Sequence, residues 1–283
     1  SPDSLVSSGF LPPGKAVRVD GGYRLSGRWP FSSGCDHADW ALVRSFVPAA
    51  AEAAPPELYM FLVPKTDYDI IDTWHVMGMS GTGSNDFELK GDVFVPEYRA
   101  LSDKDLRNGT GPGSAFNGGA LYRLPRHATV PFSLAAPLLG MAERAVQILA
   151  QSMRDAPAGF RRSAAESAIH LRVAESAAEI DAARALMLQD CRAAMEIVRQ
   201  GRPMSVEARA RNRRDIAYVA AQCTRALDRI YAAAGGRSVY LESELQRLLR
   251  DVHAAGQHMA LSWDVAGSMY GRVACGQPPG LDL

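Results

Sequence analysis

The chain has 283 residues, with 31 lysines and arginines balanced by 31 aspartates and glutamates, so no net field gathers nucleic acid or an acidic membrane surface. That length can bury a substantial core in one large or two modest domains, and no apolar run approaches the roughly 18 residues that span a bilayer. Ser1-Pro2-Asp3-Ser4 carries neither a basic leader nor an apolar signal core. Cysteines 35, 191, 223 and 275 form no Cys-x-x-Cys pair, which argues against structural zinc and a disulfide scaffold. The plain reading is a soluble, cytoplasmic protein.

From about residue 15 to 100 the chain reads as strands. Ala16-Val17-Arg18-Val19-Asp20 alternates, Gly21-Gly22 makes a hairpin turn, and Tyr23-Arg24-Leu25-Ser26-Gly27 returns. Ala38 to Phe46, Leu58 to Val63 and Phe87 to Val95 are further apolar or alternating runs, punctuated by Pro48, Pro55-Pro56, Pro64 and Pro96. Strands in succession with no helix between them predict a small β-barrel or sandwich over 1–104. Residues 105–127, rich in glycine and asparagine, read as a linker. Beyond it alanine, leucine and arginine dominate, with helices expected at about 128–155, 160–200, 204–234 and 243–270. Their breaks are Pro157-Ala158-Gly159, Gly201-Arg202-Pro203 and Gly235-Gly236. Ile169, Val173, Ala177, Ile180, Ala183 and Met187 recur at three and four, giving one buried stripe. The fold class is α+β: a small β-domain followed by an antiparallel four-helix bundle over 128–283. Small residues on the stripe favour close helix contacts within the chain and between subunits.

Two segments about 50 residues apart carry the most chemistry. They are Gly27-Arg28-Trp29-Pro30-Phe31-Ser32-Ser33-Gly34-Cys35-Asp36-His37 and Asp72-Thr73-Trp74-His75-Val76-Met77-Gly78-Met79-Ser80-Gly81-Thr82-Gly83-Ser84. Each mixes glycines, hydroxyl side chains and a tryptophan, which suits a flat, polar-edged cofactor. Gly81-Thr82-Gly83-Ser84 is not a phosphate loop, because no lysine and no helix start follow it. His253 and His258 are five apart, on different helix faces, so zinc is a poor fit. Each of these features also has a plain structural explanation: hydroxyls capping turns, a glycine C-cap, a solitary helix histidine.

Taken together, the two segments and the helical second half resemble the acyl-CoA dehydrogenase fold. More closely, they resemble the flavin-dependent monooxygenases built on it, the oxygenase components of two-component aromatic hydroxylases. The resemblance covers nearly the whole chain and matches the family's middle and C-terminal domains. The family's N-terminal all-helical domain has no counterpart in it, so on this resemblance the sequence reads as a fragment or a processed product. It implies reduced FMN or FAD delivered by a separate reductase, with O2 as co-substrate giving a C4a-hydroperoxyflavin. The implied assembly is a homotetramer. Cofactor contacts fall on Trp29, Phe31, Ser32, Ser33, Thr82, Gly83, Ser84, Arg123, Gly235 and Gly236, with Ser33 bonding flavin N5. Arg123, or Arg126 beside it, reaches the flavin of a neighbouring subunit, and Ser8 lies on the substrate side. His258 matches the histidine that deprotonates a phenolic substrate, with His253 next in line; His37, His75, His127 and His170 are structural or surface residues.

A dehydrogenase of this fold needs a carboxylate base, in the final helical region or early in the bundle. His258-Met259-Ala260-Leu261-Ser262-Trp263 contains no glutamate, and no acid lies between Asp105 and Glu143, which argues against dehydrogenation. Oxidation of nitrogen, sulfur or a polyketide carbon, and a non-catalytic partner subunit, are the alternatives.

Overall fold

The computed structural model describes residues 3–49, 54–155 and 164–280; the helix break expected at Pro157-Ala158-Gly159 lies outside them. The chain forms two compact units, one of residues up to Val76 together with Ser80–Gly118, the other of Met77–Met79 and everything from Gly119.

The first unit is two sheets. Strands β1 (Val6–Val19), β2 (Gly22–Ser26), β4 (Trp40–Val47), β5 (Glu57–Pro64), β8 (Val93–Pro96) and β9 (Ala100–Ser102) run in the order β8-β2-β1-β4-β5-β9. Strands β3 (Arg28–Trp29), β6 (Tyr68–Ile71) and β7 (Asp86–Leu89) make a second sheet ordered β3-β7-β6. The larger sheet is mixed, since β1 runs parallel to β4 and antiparallel to β2. It is open, with β8 and β9 at its edges, so the unit is a two-sheet arrangement and not a closed barrel. Period-two patterning holds: in β4, Ala41, Val43, Ser45 and Val47 face inward while the residues between them are half-buried or exposed. Their core includes Tyr23, Leu25, Trp29, Phe61, Val63, Tyr68 and Phe87.

The first hairpin departs by one residue from its sequence reading. Asp20-Gly21 form the two-residue turn, with Gly21 at φ +73°, while Gly22 already pairs with Val19. Gly22 serves close packing instead, because a Cβ there would lie 2.3 Å from the Val95 carbonyl oxygen.

The register of the second sheet positions the site. Trp29 pairs with Phe87, and Ile71 pairs with Asp86, all antiparallel. The C-terminal ends of β3 and β6 therefore meet the N-terminal end of β7. Both sequence segments singled out above leave the sheet at this one end.

In the second unit, α3 (Arg126–Asp155), α4 (Ala164–Arg199) and α5 (Val206–Ala233) are long helices. Short helices α1 (Asp103–Asn108) and α2 (Gly113–Phe116) precede them in the first unit, the one overlapping and the other within the 105–127 stretch that reads as a linker. Helix α5 is central: Ile216, Val219, Cys223, Leu227 and Ile230 repeat at three and four and are all buried. Around it pack Leu138, Ala142 and Leu149 of α3, and Ile180 and Ala183 of α4. Gly201, at φ +71°, ends α4, and Ser205 caps α5 by accepting from Ala208 N at 3.2 Å. The single last helix expected over 243–270 is instead two, α6 (Glu244–Gly256) and α7 (Trp263–Ala274), with a turn of 3-10 helix at Met259–Leu261 between them. His258 and Ser262 cap these new starts, with His258 Nδ1 accepting from Ala260 N at 3.0 Å. Among the described residues no helix is long and apolar enough to cross a membrane.

Candidate functional site

At the shared end of the second sheet, the two segments are laced together. Gly34 N donates to the Thr82 carbonyl at 2.8 Å, and Ser32 N donates to the Asn85 carbonyl at 3.0 Å. A chain of hydroxyls follows: Thr82 Oγ1 is 2.7 Å from Ser84 Oγ, which is 2.8 Å from Ser33 Oγ. Ser84 is buried in the middle while Ser33 is exposed at the end, so Ser33 is the hydroxyl that reaches outward. Ser84 acts by fixing its neighbours.

Asn85, which carries no motif signal of its own, organises the loop. Its Oδ1 accepts from both Thr73 N (3.1 Å) and Trp74 N (3.0 Å), and its Nδ2 donates to Asp36 Oδ2 at 3.3 Å. Asn85 thus orients Trp74, whose indole meets the Phe31 ring edge to face with centroids 6.1 Å apart. Phe31 is 70% exposed and takes φ +59°, a left-handed conformation unusual for a bulky residue. The backbone around Gly34 and Gly81 is open, since a Cβ at either would meet nothing within 4 Å.

Two of the expected contact residues have buried side chains. Trp29 is fully buried: it stacks on Phe87, its Nε1 donates to the Arg44 carbonyl at 3.0 Å, and Gly9 and Gly14 give it room, a Cβ at either falling within 2.4 Å of its side chain. It is a core residue, and the accessible aromatic surface comes from the exposed Phe31 and the half-buried Trp74. Ser32 is also fully buried. Gly83, at φ +49°, turns the chain, and a Cβ there would lie 3.0 Å from Asp36 Oδ2. Ser8 is half-buried in β1 and pairs with Leu42.

In the helical unit, the His258 ring lies at the surface between α6 and α7. Packing around it, and then the Arg213 guanidinium, pull its pKa below the ordinary 6.5. Arg213 itself is buried and donates from Nη1 to the Ala260 carbonyl at 3.0 Å. Because Nδ1 accepts from Ala260 N, the neutral ring carries its proton on Nε2. Such a ring presents a donor outward; taking up a proton requires it to release the Ala260 contact. His253 instead holds Asp228 Oδ1 at 2.7 Å through Nε2. Arg123 Nη2 donates to the Val198 carbonyl at 3.1 Å, tying the turn before α3 to the end of α4. At Gly235 a φ of +75° makes glycine the C-terminal stop of α5. Both Gly235 and Gly236 are exposed, with open space around them, so nothing in this fold requires the second glycine.

The outward hydroxyl, the open glycine backbone and the angled aromatic pair fit a flat ring system with polar edges, of which a flavin is one. The architecture as a whole, a mixed open sheet followed by long helices, is that of the acyl-CoA dehydrogenase fold, and residues 132–263 match the family model described as acyl-CoA dehydrogenase, C-terminal domain. The chain is 36% identical over 283 residues to the flavin-dependent monooxygenase, oxygenase subunit HsaA, of Mycobacterium tuberculosis, covering 99% of this chain and 71% of that protein. It is also 36% identical, over 290 residues, to the oxygenase component of the FADH(2)-dependent resorcinol hydroxylase of a Rhizobium species, covering 99% of this chain and 70% of that one. The crystal structure of the M. tuberculosis HsaA monooxygenase superposes with a TM-score of 0.91 at 34% identity, over 100% of this chain and 72% of that one. XiaF from a Streptomyces species, in complex with FADH2 and glycerol, gives a TM-score of 0.89 at 30% identity, over 99% of this chain and 71% of that one. The chain belongs to the family of flavin-dependent monooxygenase oxygenase components.

Proposed function

We propose that this protein hydroxylates a phenolic or related aromatic compound as the oxygenase half of a two-component system, using reduced FMN or FAD from a separate reductase. The observation that carries the site assignment is the hydroxyl chain Thr82–Ser84–Ser33, with Ser33 at its open end beside Phe31 and Trp74. Bound reduced flavin supplies the electrons that activate O2, one atom going to the substrate and the other to water.

Ser33 offers its hydroxyl to flavin N5 and holds the proton there, while Ser84 and Thr82 keep that hydroxyl from turning inward. Phe31 and Trp74 cover the apolar edge of the ring system and exclude water. His258 turns Nε2–H toward a phenolic oxygen, and its lowered pKa keeps the ring neutral at neutral pH. A hydrogen bond there favours the phenolate, its proton passing to water, and in that form the ring carbon beside the oxygen is rich enough in electrons to be hydroxylated. Arg123 and Gly235-Gly236 serve the flavin of a neighbouring subunit in a homotetramer, which gives the second glycine a reason. The functional division is 1–104 for the flavin-contacting domain, 105–127 for the connection and 128–283 for the helical bundle.

The test is rapid mixing of the protein and anaerobically reduced FMN with oxygenated buffer, in the absence of substrate. Return of oxidised-flavin absorbance delayed well beyond that of free flavin is the expected result; a return as fast as free flavin overturns the assignment.

A further inference from the structure

Met77-Gly78-Met79 interrupts the first unit: flanked in sequence by Trp74 and Thr82, these three residues pack with the helical unit. They are seated on two consecutive residues of α6. Arg250 Nη1 donates to the Met77 carbonyl at 2.5 Å, and Asp251 Oδ1 accepts from Met79 N at 2.6 Å. Gly78 lies flat against the helix, where a Cβ would fall 2.2 Å from the Arg250 carbonyl oxygen. Met79 takes φ +58°, a left-handed conformation that a non-glycine residue keeps only when its surroundings hold it. The two side chains of α6 are themselves braced. Arg250 Nε donates to Gln246 Oε1 at 2.9 Å, and the other Asp251 oxygen faces Arg247 Nη1 at 3.7 Å.

We propose that Asp251 is a positioning residue for the flavin reaction. By holding the Met79 N–H it sets the backbone from which the Ser80–Thr82 turn starts, and with it the placement of the Thr82 and Ser84 hydroxyls that orient Ser33. The carboxylate is needed as an acceptor at one point; its ion pair with Arg247 is secondary. This inference rests on the flavin assignment above, and its test separates the two.

Asp251→Ala removes the acceptor, Asp251→Asn keeps an oxygen in its place, and Arg247→Ala removes only the ion pair. Two readouts decide: hydrogen exchange at the Met79 amide without flavin, and the affinity for reduced FMN by anaerobic titration. Asp251→Ala is expected to speed exchange at Met79 about tenfold and weaken reduced FMN about fivefold, with Asp251→Asn restoring both and Arg247→Ala moving neither. Unchanged flavin affinity in Asp251→Ala, failure of Asp251→Asn to rescue, or the same loss in Arg247→Ala overturns the proposal. If Asp251→Ala does not fold, the wild-type protein decides: an unprotected Met79 amide overturns the proposal as well. A wild-type protein that shows Met79 protection but binds no reduced flavin overturns the flavin assignment, and the role of Asp251 toward flavin with it.

Discussion

Ser33 Oγ and Ser84 Oγ lie 2.8 Å apart although 51 residues separate them in the chain. That contact holds the exposed serine's hydroxyl in place, since Ser84 is itself fixed by Thr82 at 2.7 Å. Ser33→Ala is expected to retain reduced-flavin binding, because Phe31, Trp74 and the open glycines remain, yet to release hydrogen peroxide in place of hydroxylated product. Loss of one such hydrogen bond is worth about 1–2 kcal/mol, or roughly tenfold in the leak. Ser84→Ala should show a smaller leak. Peroxide formed per O2 consumed measures both; wild-type coupling in Ser33→Ala removes that serine from the mechanism.

His258 gives a pH signature. Taking up a proton breaks the Nδ1 contact that holds the ring to the Ala260 amide, and desolvation and then the Arg213 charge lower its pKa, so the acid limb of the rate profile should fall below the 6.5 of an ordinary histidine. Removing the cation in Arg213→Leu is expected to move that limb upward, toward 6.5, in whatever fraction folds. A limb that stays in place in Arg213→Leu and persists in His258→Gln belongs to another group, with His253 the first to examine.

The two segments stand out in the sequence because glycine and hydroxyl residues cluster there for local reasons, and the structure brings both clusters to one sheet end. The identity of the aromatic surface was not readable. Trp29 and Phe31 are two residues apart and differ only in facing, and the room left beside Trp29 by Gly9 and Gly14 of β1 and by Gly27 decides which ring goes inside. Asn85 escaped notice because a single asparagine before a strand looks like any turn residue. The break of the last helix was hidden too: α6 ends at Gly256 with Gln257 as its C-cap, and His258 caps the 3-10 turn that follows, with no proline in the segment.

The contrast between those two aromatic residues is testable. Trp29→Ala empties a fully packed site and strands the Arg44 carbonyl, and is expected to cost about 3–5 kcal/mol of stability. Phe31→Gly should leave stability unchanged or raise it by about 1 kcal/mol, by relieving the positive φ, while weakening reduced-flavin binding. Denaturant unfolding and anaerobic titration of both variants check the pair. Equal stability losses would mean that Phe31 is also a core residue.

Asp190 of α4 links the helical core to pH. It is 1% exposed, and burial, then the charge and hydrogen bond of Asp215, push its pKa from 3.8 up to about 7, against the opposing pull of Arg211 and Arg214. The neighbouring Cys191 thiol is raised as well, by burial and then by Asp190. A carboxyl whose pKa is raised by folding keeps its proton in the native state while the unfolded chain has already lost it. Stability contributed by this group is therefore full below about 4 and falls as pH rises toward about 7, beyond which it changes no further. Asp190→Asn replaces the proton with an amide that donates to Asp215 at every pH. Its melting temperature should match wild type near pH 4 and exceed it at pH 8 by on the order of 5 °C. Melting curves across that range decide the matter: parallel profiles for the two proteins would show that Asp190 is ionised in the native state throughout, with Arg211 and Arg214 outweighing burial.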